Sequence, residues 1–263
     1  MGTRYRIGAV HDVHVQPLVQ SFQSSSPSSE ELLFDTPSSH IERLLEKELN
    51  AAFVSPMDYA LNSSDLILLP DVGVSSFGFS EMLRLYLRGD THELSTMAVG
   101  TVAAVDVVLS RIVLGEKYDS APTIVPVLGT IDNMLTKGDC ALVSEERILS
   151  GLPDRPFIDI VDEWSDITEL PFVHTICVMR NDSYTKELHD VLLNAQEQGR
   201  RSLDAIARLL AEQRTLSNEK LSSFLSHLTY GLDDGSKQSL EEFYRMAFYY
   251  GMLSDVPEIN VPV

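Results

Sequence analysis

Polar side chains suited to proton transfer and hydrogen bonding recur directly after short apolar runs of the sequence. His11, Asp12 and His14 follow the first such run, and hydroxyl groups follow later runs at Ser55, Ser75, Ser76 and Ser144. Histidine titrates near neutral pH and can move protons. Because α/β proteins bind ligands at the carboxyl ends of their strands, these positions predict a polar-lined cleft. Taken singly, each serine is more typical of a helix cap or a turn than of a ligand contact.

Two further residues are candidate anion contacts. Thr101 stands at the start of a predicted buried helix, where free backbone amides and the helix dipole favour an anion. Arg84 lies in a strand-like run, alternating with leucines, and can hold a carboxylate bidentately. A surface ion pair is the competing interpretation of Arg84. His174 lies inside an apolar run and is interpreted as a hydrogen-bonded core histidine.

Sequence motifs for phosphate, nucleophile and metal sites are absent or incomplete. The segment 73–78 contains glycines but lacks the following Lys-Ser/Thr of a P-loop, and neither GxGxxG nor GxSxG occurs. His11 and His14 are three residues apart, as are His174 and Cys177, and an odd spacing on a strand points side chains to opposite faces. We therefore predict no metal and no cofactor.

The composition narrows the class of partner. The 263 residues carry 39 acidic side chains and 20 lysines or arginines, a formal net charge of −19. Such an acidic chain is unsuited to nucleic acids and anionic membranes. No apolar run reaches the length of a membrane span, and no secretory signal is visible. We expect a cytoplasmic protein, monomeric or homodimeric, that binds a small molecule.

The elements that must position these residues alternate between strand and helix. Compact apolar runs predict strands at 5–10, 51–55, 66–69, 123–127 and 140–144, and residues 102–114 predict a buried helix. Helical periodicity then continues over 182–214 and 217–228, and a Ser239/Glu242 capping box is expected to open a final helix. The order indicates an α/β fold with mixed, mainly parallel sheets and a helical C-terminal part.

Two strand-like segments, 79–88 and 171–180, lie beside changes of composition and are candidate crossings between two lobes. We expect lobe 1 to comprise residues 1–88 and 178–263, and lobe 2 residues 89–177. The ligand site would then be the cleft between them.

Five stretches, in this order and spacing, resemble one known family: 6–10, 51–60, 69–78, 139–143 and 159–173. The chain resembles the chorismate dehydratase family of the futalosine route to menaquinone. The resemblance implies the two-lobed fold of type II periplasmic binding proteins. It also implies a hydro-lyase (carbon–oxygen lyase) activity that converts chorismate to 3-[(1-carboxyvinyl)oxy]benzoate and water.

The departures from this family fall in the pocket. His14 stands at the position of a family asparagine implicated in catalysis, Glu81-Met82 replaces a Gly-Ser pair, and Asp106 falls in a segment where the family has Thr-Ser. For that reaction we expect catalytic roles for His14 and Ser76. We expect substrate binding at a second group of positions: His11, Ser55, Ser75, Arg84, Thr101, Asp106 and Ser144. A non-catalytic carboxylate-binding protein of the same fold remains the alternative, and a third possibility is the later lyase of this pathway with the same fold.

Overall fold

The computed structural model describes residues 5–24, 30–89, 93–152 and 155–262, which form two mixed β-sheets with helices packed on them. The strands are β1 (Tyr5–Ala9), β2 (Glu30–Phe34), β3 (Ala51–Val54), β4 (Leu66–Ser76), β5 (Leu83–Leu87), β6 (Thr96–Val99), β7 (Thr123–Pro126), β8 (Cys140–Ser144), β9 (Phe157–Asp159), β10 (Phe172–Arg180) and β11 (Thr229–Tyr230). The six-stranded sheet has the order β11-β4-β10-β3-β1-β2, and the five-stranded sheet has the order β7-β6-β8-β5-β9.

The helices cover both sheets, and the last four form the helical C-terminal part that the sequence predicts. They are α1 (Gln16–Ser24), α2 (Pro37–Leu45), α3 (Pro56–Ala60), α4 (Ala104–Tyr118), α5 (Ile131–Lys137), α6 (Glu145–Leu149), α7 (Ile160–Thr168), α8 (Lys186–Arg200), α9 (Leu203–Arg214), α10 (Asn218–His227) and α11 (Asp234–Tyr249). A 3-10 turn, Val13–Val15, runs directly into α1. Among the described residues, no helix is long and apolar enough to span a membrane.

Both sheets are mixed, as predicted, but parallel pairs do not dominate. Of the strand pairs in the described ranges, four are parallel and five antiparallel. The antiparallel pairs involve the strands next to the two points where the chain passes from one sheet to the other. β4 and β10 pair antiparallel with each other, and β5 is antiparallel to both of its neighbours.

Three predicted element boundaries are wrong. β4 continues to Ser76 because β10 and β11 pair with its far end, so Ser75 and Ser76 lie within the sheet rather than after a strand. The buried helix begins at Ala104, not at residue 102, because the Asp106 carboxylate accepts from the backbone amide of Ala103. The final helix begins at Asp234, because Asp233 caps it by accepting from the amide of Ser236 at 2.8 Å.

The chain changes sheet between Ser76 and Leu83 and returns between Asp159 and Phe172. The predicted lobe boundaries at 88/89 and 177/178 stay predictions, and a division by sheet membership places each several residues earlier. Aromatic packing supports the returning segment: Trp164 of α7 is fully buried with its ring centroid 5.7 Å from that of Phe172 and 6.2 Å from that of Phe243. This packing anchors the start of β10, which carries two residues of the candidate site.

Candidate active site

A cavity of about 610 Å³ lies between the two sheets. One wall comes from the segment after β1, from β3 and from β10. The opposite wall comes from residues 101–106, which lead into α4, and from residues 144–146 at the start of α6. Apolar contacts are supplied by Phe53, Met82 and Val105, so the cavity combines an apolar lining with a few polar groups. That combination is typical of a small-molecule site.

His14 stands at the centre of the polar groups and joins the two walls. Its Nδ1 atom lies 2.8 Å from Oε2 of Glu145, and its Nε2 atom lies 2.9 Å from Oγ1 of Thr175. The 3-10 turn that carries His14 has no cap from its own Asp12 side chain. Glu145 supplies the missing acceptor instead, since its Oε1 atom accepts from the amide of Val13 at 2.7 Å.

His174 and Thr175 are consecutive residues of β10, yet both line the cavity. Successive residues of a regular strand point to opposite faces. The pairing of β10 with β4 shifts by one residue between Val173 and Thr175, which makes His174 the extra residue of an irregularity of the bulge type. The bulge therefore explains how one strand presents two polar side chains to the same cavity.

The two cavity histidines differ in protonation. Burial alone would lower the pKa of His14, but the charge and hydrogen bond of Glu145 outweigh burial and raise it to about 9. Burial lowers the pKa of His174 well below its ordinary value, and the positive charge of His14 adds to that effect. Their ring centroids are 6.1 Å apart. At neutral pH the cavity thus holds one charged and one neutral imidazole within reach of a single small ligand.

The lining is rich in acid. The carboxylates of Asp12, Asp35, Asp106, Glu145 and Glu146 line the cavity, and no described lining residue is a lysine or an arginine. Burial raises the pKa of Asp106 to about 7, so this group is only partly ionised at neutral pH.

Six of the sequence-predicted residues line the cavity together: His11, His14, Ser55, Thr101, Asp106 and Ser144. Some of these side chains already have partners in the neighbouring protein structure. Ser55 caps α3 through a reciprocal capping box with Asp58, which is the alternative interpretation of that serine. The ring of His11 stacks on Phe34 with centroids 4.2 Å apart. Thr101 precedes the first residue of α4 by three positions, so it is not at the helix terminus.

The structure does not bring Ser75, Ser76 and Arg84 to the cavity wall. Both serines are buried inside the six-stranded sheet, where Ser76 Oγ lies 2.7 Å from Nε2 of His174 and contacts the cavity only through it. The guanidinium of Arg84 is paired with Glu81 at 2.7 Å and lies 4.1 Å from the ring centroid of Phe157. Arg84 is thus neutralised locally rather than free to hold a ligand carboxylate.

Sequence reasoning missed Glu145 and Thr175 and assigned His174 to the core. Glu145 directly follows the predicted residue Ser144, so the strand-end rule that selected Ser144 extends to it by one position. No signal in the sequence indicates that Thr175 and His174 share a face, because the bulge arises from pairing with β4. Within the described ranges, no group of three or more histidine, cysteine or acidic side chains is placed to hold a metal ion.

Comparison with known proteins identifies the family. A family model described as menaquinone biosynthesis matches residues 5–249, nearly the whole chain. The chain belongs to this menaquinone biosynthesis family. A relative with a named activity, the chorismate dehydratase of Thermus thermophilus, is 25% identical over 217 residues, which are 76% of this chain and 80% of that protein.

Solved structures place this family member in a two-lobed fold. The periplasmic aliphatic sulphonate binding protein of Escherichia coli superposes with a TM-score of 0.67 at 13% identity, covering 98% of this chain and 91% of that one. A protein of Archaeoglobus fulgidus gives 0.72 at 17% identity, with 94% and 98% covered. An ABC transporter structure from Parabacteroides distasonis gives 0.71 at 15%, with 100% and 99% covered. The predicted fold, that of periplasmic binding proteins, is therefore confirmed.

Proposed function

We propose that the protein is a cytoplasmic hydro-lyase of the chorismate dehydratase type, which converts chorismate to 3-[(1-carboxyvinyl)oxy]benzoate and water. The observation that carries this proposal is the pair of cavity histidines, one charged and one neutral, in a single enclosed cleft. Elimination of water needs a base for a carbon-bound proton and an acid for the departing hydroxyl. Two titratable groups whose environments push their pKa values apart supply those two roles.

His174 is the base in this proposal. With its Nε2–H donating to Ser76 Oγ, the Nδ1 atom carries the lone pair that accepts the proton from carbon. Ser76 is then a positioning residue, since it holds the tautomer and does not touch the ligand. The electron pair of the broken C–H bond forms the new C=C bond, and the C–O bond to the leaving hydroxyl breaks.

His14 is the acid. Its Nε2–H donates to Thr175 Oγ1, and the Thr175 hydroxyl can pass its own proton to the leaving hydroxyl, which departs as water. A carboxylate on Nδ1, which is that of Glu145 in this structure, stabilises the charged imidazole before the proton leaves. The proton that His174 gains equals the one that His14 loses, so the reaction needs no other reactant. Membership of the menaquinone biosynthesis family supports this chemistry.

The acidic lining favours one second candidate, a binding protein without catalytic activity. Asp12, Asp106 and Glu146 lie where a ligand carboxylate would meet them, and the described lining offers no lysine or arginine in return. Each like-charge contact opposes a dianion by about 1–4 kcal/mol at 4 Å, depending on the local dielectric. Under this hypothesis the cleft binds a small ligand and releases it unchanged.

Incubation of the purified protein with chorismate, with the aromatic enol ether followed by mass spectrometry, separates the two candidates. The dehydratase proposal expects product from the wild type and a loss of roughly 100-fold or more in His174→Gln, as for other general bases. His189→Gln is the matched control, because His189 is also buried but bonds to the carbonyl of Pro70 away from the cavity. No product together with a chorismate-induced rise in melting temperature would refute the dehydratase and support the binding protein. Neither product nor a rise would refute both.

A further inference from the structure

Glu145 places a carboxylate where an external anion would be expected. The backbone amides of Val13 and His14 open the helical run 13–24, and they lie 2.7 and 3.5 Å from Oε1 of Glu145. First-turn amides have no partner within their own helix and bind anions readily. Here the anion is a side chain of the protein itself, and its second oxygen pairs with the ring of His14.

The same carboxylate crosses the cleft. Val13 and His14 follow β1 of the six-stranded sheet, whereas Glu145 follows β8 of the five-stranded sheet. The Glu145 side chain is 6% exposed and that of His14 is 10% exposed, so water does not screen their attraction strongly. One buried side chain therefore ties the two walls of the cavity together through three contacts.

We propose that Glu145 is a built-in substitute for a ligand carboxylate: it holds the cleft closed, and a carboxylate of the ligand displaces it from the Val13–His14 amides. The carboxylate class of ligand rests on the proposed function. The contact between the walls does not, because it is made entirely by groups of the protein itself.

The geometry explains why the replacement group is a carboxylate. The site offers two amide donors and one imidazolium donor on the same side of an acceptor. A planar group with two oxygen acceptors satisfies them all, with one oxygen on the amides and the other on His14 Nδ1. Asp12, Asp106, Glu146 and Glu145 itself are the acidic groups around this position, so binding a second anion while Glu145 remains is unfavourable. Displacement removes that conflict.

Three variants test the proposal, with benzoate as the probe and small-angle scattering as a second measurement. Glu145→Ala clears the amides, and Glu145→Asp keeps the charge but is one methylene too short to reach them. Glu146→Gln is the matched control, because Glu146 is the exposed neighbour on the same short helix and also lines the cavity. Circular dichroism and melting temperature establish that each variant is folded.

We expect Glu145→Ala and Glu145→Asp both to bind benzoate about tenfold more tightly than the wild type. Both should also show a larger radius of gyration without ligand, above the roughly 18 Å of a compact chain of this length. Glu146→Gln should keep the wild-type radius of gyration, and its gain in benzoate affinity should stay well below that of the Glu145 variants, because it removes one exposed charge and breaks no contact between the walls. Unchanged affinity and size in the two Glu145 variants would overturn the proposal. The proposal would also be overturned if Glu146→Gln changed as much as Glu145→Ala, or if Glu145→Asp did not change while Glu145→Ala did. In either case the loss of a negative charge, and not the loss of the contact between the walls, would explain the effect.

These measurements are independent of the dehydratase assay. Failure of the proposed function appears as the absence of product from the wild type with chorismate. Failure of the Glu145 proposal appears as wild-type size and benzoate affinity in the folded variants.

Discussion

The cleft contains an ion pair that joins the two sheets, whereas a second ion pair, outside the cavity lining, joins near neighbours in the chain. His14 and Glu145 are 131 residues apart and nearly buried. Arg84 and Glu81 are three residues apart, with 13% and 32% of their side chains exposed. The two pairs have similar separations of 2.8 and 2.7 Å, so burial and connectivity rather than distance distinguish them.

The two ion pairs therefore have different roles. The buried pair raises the pKa of His14 against the effect of burial and so keeps a proton available inside the cavity. The local pair neutralises Arg84, whose guanidinium also packs on Phe157. A residue that sequence alone nominates as the ligand anchor is therefore occupied, and the cavity's electrostatics depend on the pair that sequence could not show.

The largest expected difference is in stability. His14→Leu leaves the Glu145 carboxylate without its cation and should lower the free energy of unfolding by about 3 kcal/mol. Arg84→Met keeps most of the side-chain packing and removes a partly exposed pair, so the loss should be about 1 kcal/mol or less. Urea denaturation of the two variants measures both values. Equal losses of unfolding free energy in the two variants would show that burial does not make the His14–Glu145 pair contribute more than the Arg84–Glu81 pair.

The second expected difference is in pH dependence. The pKa of His14 is raised from 6.5 to about 9, so its stabilisation is complete below pH 6.5 and is lost as the pH rises through 9. The free energy of unfolding of the wild type should therefore fall by about 2 kcal/mol between pH 7 and pH 9. His14→Gln should remove most of this slope. Arg84→Met should retain it, because guanidinium groups hold their charge throughout this range, and a flattened slope in Arg84→Met would contradict the comparison.

The smallest expected difference is in ligand affinity. Burial raises the pKa of Asp106 to about 7, so its carboxyl is charged at pH 8 and neutral at pH 5.5. Asp106→Asn should tighten benzoate binding about fivefold at pH 8, equivalent to ~1 kcal/mol of repulsion removed, and should change little at pH 5.5. Glu81→Gln is the control outside the cavity. Calorimetric titration at the two pH values checks both, and a gain that persists at pH 5.5 would contradict the assigned charge state.

Much of the fold could be predicted from the sequence, because apolar runs are local signals. The strands at β1, β3, β8 and β10 lie within a residue or two of their predicted bounds. The far end of β4 and the start of α11 could not be predicted. β4 is extended by strands that pair with it from distant parts of the chain, and Asp233 competes as a cap with the Ser239/Glu242 pattern.

The site shows the same division. The strand-end rule selected His11, His14 and Ser144, and all three line the cavity. Arg84 was selected instead by its alternation with leucines, a pattern that does not say which side chain neutralises its charge. The strand-end rule failed for Ser75 and Ser76, because β4 extends through both of them. It also missed Thr175, since a regular strand would have turned either this residue or His174 away from the cavity.

The amino-acid sequence by itself determined the acidic balance, the positions of most strands and helices, the likeness to the menaquinone biosynthesis family and the presence of histidines after the first strand. Only the tertiary structure decided that His14 meets Glu145 and Thr175, that a bulge presents His174, and that Arg84 is already paired. The physical reason is that apolar periodicity is read within a few residues of chain. Desolvation and Coulomb attraction, which set the protonation of the cavity, depend on distances in space that no local pattern contains.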